Sequence, residues 1–319
     1  MRMMHSIPGG IHPDENKSQS LGKAIASAGL PPFLVLPLSQ HIGAPAKPMV
    51  AVGDTVLKGQ VIAQANGFVS VPVHAPSSGT VTAIGPHTLP HPSGMEGPCI
   101  TIVLDGQENW VERSPTADYL RLDKTDLLNI IRNAGIAGMG GAGFPAAVKL
   151  AGQPNKPIKT LIINGTECEP YITADDILMR ERAADIIAGT KIIAHLVNAQ
   201  EVLIGIENNK PEAIEAMKAA AVDSGFEILS FPTKYPSGGE KQLIQILTGL
   251  EVPAGGLPSD VGIVLQNVGT ATAIYNAVVK GEPLISRITT VTGEGINAPR
   301  NYETLLGTPM QYLLEQADF

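Results

Sequence analysis

The stretch TLIINGTECEPYITADDILMRERAADIIAGTKIIAHLVNAQEVLIGI, residues 160–206, decides the fold that the sequence predicts. It opens with the apolar run TLIING (160–165), which predicts a buried strand, and it closes with a second such run, EVLIGI (201–206). Between them, residues 173–197 have the length and apolar spacing of one long helix. A strand, a helix and a strand in this order predict two parallel neighbours in one sheet, because a parallel connection needs a crossover.

The same alternation continues on both sides of this unit. The further elements are a helix in TDLLNIIRNAG (125–135) with Thr125 as its cap and Gly135 at its end, a helix opened by Pro211, the strand FEILSF (226–231), a helix in GGEKQLIQIL (238–247), the strand VGIVLQN (261–267) and a helix in ATAIYNAVV (271–279). We therefore predict an α/β domain over residues 116–283, with a Rossmann-like, mostly parallel sheet and helices on both faces. Ligands of such sheets bind at the carboxyl ends of the strands.

The first 115 residues predict a different kind of unit. Short alternating runs broken by turns predict an all-β domain, and VGDTVLKGQVIA (52–63) with VHAPSSGTVTAI (73–84) resembles the lipoyl/biotinyl (barrel-sandwich) fold. A carrier domain presents a lysine on its central turn, but here that turn reads QANGFVS (64–70), and Lys58 lies in an earlier turn. We predict the carrier-like fold without carrier chemistry, preceded by an extended arm that includes residues 9–20.

Composition excludes several classes of function. The 319 residues carry a formal net charge of −8 and contain no basic run, which argues against nucleic acid as a partner. No window is apolar enough to predict a membrane span. The only cysteines, Cys99 and Cys168, predict free thiols and are too few to hold an iron–sulfur cluster. The histidines match no zinc spacing, so we predict no metal site in this chain.

The segment GMGGAGFPAAVKL (138–150) is the first of four motifs that point to a ligand site. Its glycines Gly138, Gly140, Gly141 and Gly143 let backbone N–H groups approach a ligand closely. The spacing matches the dinucleotide fingerprint, but a helix rather than a strand precedes it, so the match alone is weak. A helix that begins near Pro145 would direct its positive end at the ligand, and Lys149 is a candidate for a phosphate contact. The alternative is a mobile glycine loop.

The second motif, NGTECEPYITADD (164–176), connects a predicted strand to a helix. Asn164 is placed to hydrogen-bond a heterocycle or a ribityl chain. Glu167 and Glu169 are carboxylates in a partly enclosed loop, where burial without purpose costs free energy or shifts the pKa. The alternative is that they cap the following helix. We interpret Cys168 as a packing residue.

The third and fourth motifs are KYPSGGEKQLI (234–244) and VLQNVGTATA (264–273). In the third, Tyr235 can pack on a ring, Gly238 and Gly239 allow close approach, and Glu240 can hold a ribose hydroxyl. The fourth offers Gln266 and Asn267 at a strand end, followed by Gly269 and Thr270 at a helix start, which is a second candidate phosphate site.

In this order the motifs resemble the flavin-binding subunit of respiratory complex I, and more closely the RnfC family of the Rnf electron transport complex. GGIHPDENK (9–17), LPLSQHIGAPA (36–46) and GFVSVPVHAPSSGTV (67–81) strengthen the second resemblance, which covers the whole chain. It implies FMN and NAD(H) in one pocket, with hydride transfer carried by the flavin and no catalytic side chain.

Carried onto this chain, the resemblance implies a set of cofactor-binding residues. Gly138, Gly140, Gly141, Gly143 and Lys149 are expected at the flavin and its phosphate, Phe144 on the nicotinamide nucleotide, Asn164 and Glu167 at the flavin, Glu169 beside them, Tyr235, Gly238, Gly239, Gln266, Asn267 and Thr270 around the flavin, and Glu240 at the ribose of NADH. Met139, Ala146 and Thr166 depart from the complex I pattern, which weakens the individual phosphate and nucleotide contacts.

The last stretch, ISRITTVTGEGINAPRNYETLLGTPMQYLLEQ (285–316), resembles the start of a β-grasp (SLBB-type) domain, so we assign residues 284–319 to it. In the family this domain precedes a ferredoxin-like one with two [4Fe–4S] clusters, and we interpret the sequence as the electron-entry part of a longer protein. The resemblance implies other subunits of a membrane complex as partners and a peripheral place on the cytoplasmic face of the bacterial inner membrane.

Two other functions stay open at this point. One is a non-catalytic scaffold, like the related quinone-binding subunit of the sodium-pumping NADH:quinone reductase. The intact GMGGAGF and NGTECEP loops argue against it. The other is a carrier or binding module built on the lipoyl-like unit, against which the missing turn lysine argues.

Overall fold

The N-terminal part of the chain is a β-structure with its own core. The computed structural model describes residues 3–91, 93–141, 143–153 and 155–319. In chain order come α1 (Ser18–Leu21), β1 (Ala26–Ser27), β2 (Phe33–Pro37), β3 (Lys47–Pro48), β4 (Thr55–Val56), β5 (Val61–Gln64), β6 (Val73–His74), β7 (Gly79–Thr88) and β8 (Glu96–Leu104). Two antiparallel sheets, β2-β8-β7-β4 and β3-β5-β6, enclose buried side chains such as Leu36, Ile62 and Ile100. The predicted all-β unit is confirmed.

The central part alternates helices and strands. Its elements are α2 (Lys124–Asn133), α3 (Ala146–Ala151), β9 (Thr160–Gly165), α4 (Ala174–Glu181), α5 (Ala183–Val197), β10 (Glu201–Glu207), α6 (Pro211–Ala220), β11 (Glu227–Phe231), α7 (Glu240–Thr248), β12 (Ile263–Asn267) and α8 (Val268–Tyr275), which a π-helical turn, Asn276–Lys280, prolongs. The four strands form one parallel sheet in the order β11-β10-β9-β12. The parallel α/β domain is therefore as predicted.

Both faces of this sheet are buried over β9, β10 and β12, which explains why these strands are mainly apolar, whereas the edge strand β11 is partly exposed. Successive side chains of a strand point to opposite faces. Leu161 and Ile163 of β9 accordingly join the larger core with α5 and α8, whereas Ile162 joins a second core with α7. Helices thus cover the sheet on both sides.

The strand order reverses beside β9. From β9 the chain moves outward to β10 and β11, and then returns across the sheet to place β12 on the other side of β9. Connections on the two sides leave in opposite directions, so a crevice opens at the carboxyl ends of β9 and β12. Asn164 and Asn267 are paired in register at this point.

Two local predictions were wrong. The long helix expected over 173–197 is two helices, α4 and α5, interrupted at Arg182. The guanidinium of Arg182 donates to Glu303 at 2.5 Å, and the interruption lets α4 pack on the C-terminal hairpin while α5 packs on α8. The cap of α2 is Asp123 rather than Thr125, since the Asp123 carboxylate accepts the N–H of Asp126 at 2.8 Å.

The C-terminal residues form a small sheet with the N-terminal arm. The strands β13 (Ser286–Val291) and β14 (Arg300–Leu305) make an antiparallel hairpin, followed by α9 (Met310–Gln316). The short strand β1 pairs with β14 in parallel, so the two ends of the chain share one sheet. Ala28, Val291, Tyr302 and Leu313 are buried between them. The β-grasp assignment and the boundaries at 115 and 283 stay predictions.

We expect Gly189→Ala to destabilise the central domain. A Cβ at this position of α5 would lie 1.9 Å from the carbonyl oxygen of Ala271 in α8, so the two helices would have to separate. Overpacking of this kind typically costs about 1–3 kcal/mol. Urea unfolding followed by circular dichroism measures the loss. The matched control is Gly85→Ala in β7, where a Cβ meets nothing within 4 Å. Equal stability of the two variants would contradict the expected close contact.

Candidate functional site

A cavity of about 1250 Å³ opens at the crevice beside β9 and β12. Almost all residues predicted for the site line it. They are Gly138, Gly140, Gly141, Phe144, Lys149, Asn164, Glu167, Glu169, Tyr235, Gly238, Gly239, Glu240, Gln266, Asn267 and Thr270. Gly143 is not among the lining residues, and its carbonyl oxygen accepts the N–H of Ile42 from the β-domain at 3.1 Å. The structure thus brings four distant motifs to one place.

The glycine-rich loop is closed at its base and anchored from α8. The N–H of Gly138 donates to the carbonyl of Phe144 at 2.8 Å, and the N–H of Met139 donates to the hydroxyl of Thr270 at 3.0 Å. Gly141 has a φ of 64°, which disfavours any residue with a Cβ, and a Cβ there would meet nothing within 4 Å. Ala142 of this motif lies outside the described residues. The anchored loop leaves open space beside its backbone.

The helix that follows this loop is short. It begins at Ala146, as expected from Pro145, but it ends after six residues. Lys149 lies one turn into it and forms an ion pair with Glu240, the first residue of α7. Lys149, predicted to contact a phosphate, and Glu240, predicted to contact a ribose, therefore neutralise each other in the cavity wall. A ligand that separates the two side chains would meet both charges.

Asn267 and Asn164 already have partners in the protein. The Asn267 side chain caps α8, since its oxygen accepts the N–H groups of Gly269 at 2.8 Å and Thr270 at 3.3 Å. The amide nitrogen of Asn164 donates to the carbonyl of Gly238 at 2.9 Å. Its oxygen accepts the N–H of Thr166 at 3.0 Å. Both side chains hold the loops of the cavity in place, a role that the sequence did not suggest.

Gln266 differs from its neighbour in having a free donor. Its side chain is 3% exposed and lines the cavity, and among the described residues its Nε2 has no hydrogen-bond partner. The hydroxyl of Thr166 is likewise buried and without a partner in that part of the chain. Buried polar groups without a partner cost free energy, so the Gln266 Nε2, which lines the cavity, marks a position where a ligand group can be accommodated, whereas Thr166 does not line the cavity.

Glu167 caps α4, which is the alternative that the sequence left open. Its two carboxylate oxygens accept the N–H groups of Asp175 at 2.6 Å and Asp176 at 3.1 Å. Burial raises the pKa of Glu167 to about 8. The negative charge of Asp175 adds to this rise in pKa, while Lys17 and the Asp175 N–H act against it. Glu169, two residues on, is exposed and lines the same wall.

Asp175 is a site residue that the sequence analysis missed. It lines the cavity, and its carboxylate accepts the amide N–H of Asn267 at 2.7 Å. Burial raises the pKa of Asp175 to about 6, although the hydrogen bond from Asn267 acts in the opposite direction. In the sequence, the pair Asp175-Asp176 gives no signal of a ligand site, because acidic residues are favourable in the first turn of any helix.

The two aromatic predictions, Phe144 and Tyr235, both line the cavity and are both 37% exposed. Each therefore presents part of its ring to the space where a planar ligand would lie. Two other parts of the chain complete the wall. They are residues 282–290, which lead into and form part of the C-terminal hairpin, and three residues of the β-domain, Lys58, Glu108 and Trp110. No pattern in the sequence pointed to these contributions, because they depend on how the three parts of the chain pack together.

Comparisons with known proteins agree with this architecture. Residues 5–107 match the RnfC barrel sandwich hybrid domain, and residues 131–276 match the Nuo51 FMN-binding domain. The RnfC subunit of the ion-translocating oxidoreductase complex of Pseudomonas aeruginosa is 54% identical over 314 residues, 98% of this chain. This chain belongs to the RnfC family of ion-translocating oxidoreductase complex subunits.

The RnfC protein of Vibrio cholerae is 53% identical over 310 residues, 97% of this chain. This RnfC-family chain spans about two fifths of its curated relatives, namely 41% of the Pseudomonas protein and 40% of the Vibrio one. Among solved structures, an NAD+-reducing [NiFe]-hydrogenase in the H2-reduced state matches with a TM-score of 0.55 and 23% identity. That match covers 64% of this chain and 41% of the hydrogenase chain, and at this identity it supports the fold alone.

Among the described residues of this RnfC-family chain, no helix is both long and apolar enough to cross a membrane. Both cysteines are free, as predicted, and both are buried.

We expect the stability of the chain to depend on pH through Glu167. The ordinary pKa of this carboxyl group is 4.5 and its folded pKa is about 8, so ionisation favours the unfolded chain. The free energy of unfolding should therefore fall as the pH rises through this window. Relative to Glu167→Gln, which cannot ionise, wild type should lose at least ~1 kcal/mol between about pH 5 and about pH 8.

Urea unfolding at several pH values measures this difference. Glu215→Gln, an exposed position on α6, serves as the control and should follow wild type at every pH. If the free energy of unfolding changed with pH in the same way in wild type and in Glu167→Gln, the pKa of Glu167 would not be strongly raised.

Proposed function

We propose that the cavity binds FMN and NAD(H) side by side and orients them for hydride transfer. The observation that carries this proposal is the convergence of four motifs on one cavity at the point where the strand order reverses. Membership of the RnfC family and the match of residues 131–276 to the FMN-binding domain support flavin as the resident cofactor.

The residues present fit a flavin. The cavity of about 1250 Å³ exceeds the usual range for one small ligand, roughly 300–1,000 Å³, which leaves room for a nucleotide beside the flavin. The unpartnered Nε2 of Gln266 can donate to an acceptor on the flavin ring or ribityl chain. The open space beside the backbone of Gly141 permits the close approach that a phosphate requires.

FMN, when bound, supplies the acceptor for a hydride and the capacity to release electrons singly. The chain itself binds and orients. The partly exposed rings of Phe144 and Tyr235 offer faces for planar groups, and we assign the Phe144 side to the nicotinamide nucleotide. Lys149 would turn from Glu240 to a phosphate, which frees Glu240 for the ribose hydroxyls of NADH. No side chain is assigned a catalytic proton transfer.

The proposal extends to the longer proteins of the family. We infer that electrons leave the flavin toward [4Fe–4S] clusters outside this chain, in the region that the relatives have in addition. In the whole complex this protein would lie peripherally on the cytoplasmic face of the inner membrane, against other subunits. The reaction would couple NAD(H) to ferredoxin and to ion movement.

The purified chain tests the proposal directly. We expect added FMN to bind with quenching of its fluorescence, and NADH to bleach the bound flavin under anaerobic conditions. Glu240→Gln should raise the NADH concentration needed for half-maximal bleaching while FMN affinity changes little. A chain that neither binds FMN nor supports its reduction would refute the proposal, and protection by a quinone without flavin binding would favour the scaffold alternative.

The role of Lys149 has a specific test that compares two flavins. Lys149→Gln should weaken FMN binding about tenfold, equivalent to about 1.4 kcal/mol, because a charge-assisted phosphate contact is lost. Riboflavin, which lacks the phosphate, should bind wild type and variant equally. Lys156→Gln is the matched control, since Lys156 pairs with Asp260 and does not line the cavity. An equal loss for both flavins would assign Lys149 to loop structure instead.

A further inference from the structure

The N-terminal arm reaches the cavity loops from behind. Ile11 pairs through its backbone with Tyr235 of the third motif, with N–O distances of 2.8 and 2.9 Å. The carbonyl of Glu15 accepts the N–H of Tyr171 in the second motif at 2.8 Å. The arm therefore contacts two of the four loops that form the cavity, although the sequence suggested only an extended segment on the surface.

The side chain of Lys17 enters the second motif itself. Its ammonium donates to the backbone carbonyls of Glu167 at 2.9 Å, Glu169 at 2.9 Å and Ile172 at 2.5 Å. An ammonium has three donors, so all of them are used on one loop. Lys17 is 6% exposed, and a lysine is rarely buried unless its charge is compensated.

The loop depends on the hydrogen bonds from Lys17 because its backbone is strained. Glu167 has a φ of 47° and Tyr171 a φ of 67°, both in the left-handed region that residues with a Cβ disfavour. Conformations of this kind persist only where the surroundings hold them. Three carbonyls that converge on one point would repel each other without a cation between them, and the Lys17 ammonium lies at that point.

A buried cluster of hydrogen-bonded hydroxyl and amide groups holds Thr173, the residue that follows Ile172. The hydroxyls of Ser20 and Thr173 are 2.7 Å apart, and the amide of Asn301 donates to Thr173 at 2.9 Å. All three side chains are fully buried. The arm, the loop and the C-terminal hairpin thus meet at these three side chains, and Lys17, three residues before Ser20, joins the arm to the same loop.

We propose that Lys17 is a positioning residue of the cofactor site: its ammonium holds the loop from Glu167 to Ile172 in the conformation that presents Glu167 and Glu169 to the cavity. It acts through the loop and does not itself line the cavity. The positive charge of Lys17 also lowers the pKa of Glu167. The charged groups that influence Lys17 are Glu167, Lys210, Glu207 and Asp176, and burial lowers the pKa of its ammonium. The inference rests on the proposed flavin site for its functional meaning.

The test is chemical rescue of Lys17→Ala. Lys17→Ala removes Cγ, Cδ, Cε and the ammonium nitrogen Nζ. Added n-propylammonium has the same three carbons and the same charge, so it can occupy the space that the truncation leaves. We expect the variant to bind FMN at least about tenfold more weakly than wild type, and propylammonium to restore most of the loss. Tetramethylammonium at the same concentration should not, because it has no N–H donor. Lys23→Ala, an exposed position on the same arm, should neither lose affinity nor respond to either amine.

A second measurement separates this inference from the flavin proposal. Hydrogen exchange of the amides at 167–173, without flavin, should be faster in Lys17→Ala than in wild type or Lys23→Ala, and propylammonium should slow it again.

If the alanine variant does not fold, Lys17→Met keeps most of the side chain and removes the charge. Faster exchange and weaker FMN binding are then expected of Lys17→Met. Wild-type exchange and wild-type affinity in a folded Lys17 variant would overturn the inference. Absence of FMN binding in wild type would instead refute the proposed function and leave the exchange experiment decisive for Lys17.

Discussion

The position of β9 between β10 and β12 is the constraint on which the rest of the structure depends. Its side chains are buried on both faces, so it cannot move without disturbing two cores. Its parallel pairing on both sides brings the carboxyl ends of β9 and β12 together. The connections diverge there, and the cavity is the space that this divergence leaves. The sheet therefore fixes where the loops around the cavity begin.

The wall of the cavity is held mainly by polar contacts between backbone and side chains. Asn164 ties the second motif to the third, Asn267 caps α8, and Thr270 anchors the glycine-rich loop. The Glu167 carboxylate caps α4 by accepting the backbone N–H groups of Asp175 and Asp176. Each of these contacts is at least partly buried, and a hydrogen bond becomes stronger as its surroundings lose water. The loops are therefore positioned before any ligand arrives, and Gln266 remains as a donor with no protein partner in the described residues.

Much of the fold followed from patterns that depend on neighbours in sequence. The strand at 160–165 and the helix opened by Pro211 came out as predicted, because a buried run and a proline at the first turn have few alternatives. The single helix at 173–197 did not, because the break at Arg182 is stabilised by Glu303, which lies far away in the sequence. Periodicity gives no information about such a partner.

For the site, residue types in the motifs were sufficient to name most of the cavity wall that the four motifs form. They did not name the part that residues 282–290 and the β-domain add, nor the partners within the wall. By itself, the sequence determined the parallel α/β sheet, the β-domain before it and the positions of the four loops, since these follow from apolar periodicity and turn chemistry. Only the tertiary structure decided that Lys149 faces Glu240, that Asp175 belongs to the wall, and that Lys17 fills a cage of carbonyls. The physical reason is that burial and charge pairing are properties of groups that meet in space, and a linear pattern does not record which groups those are.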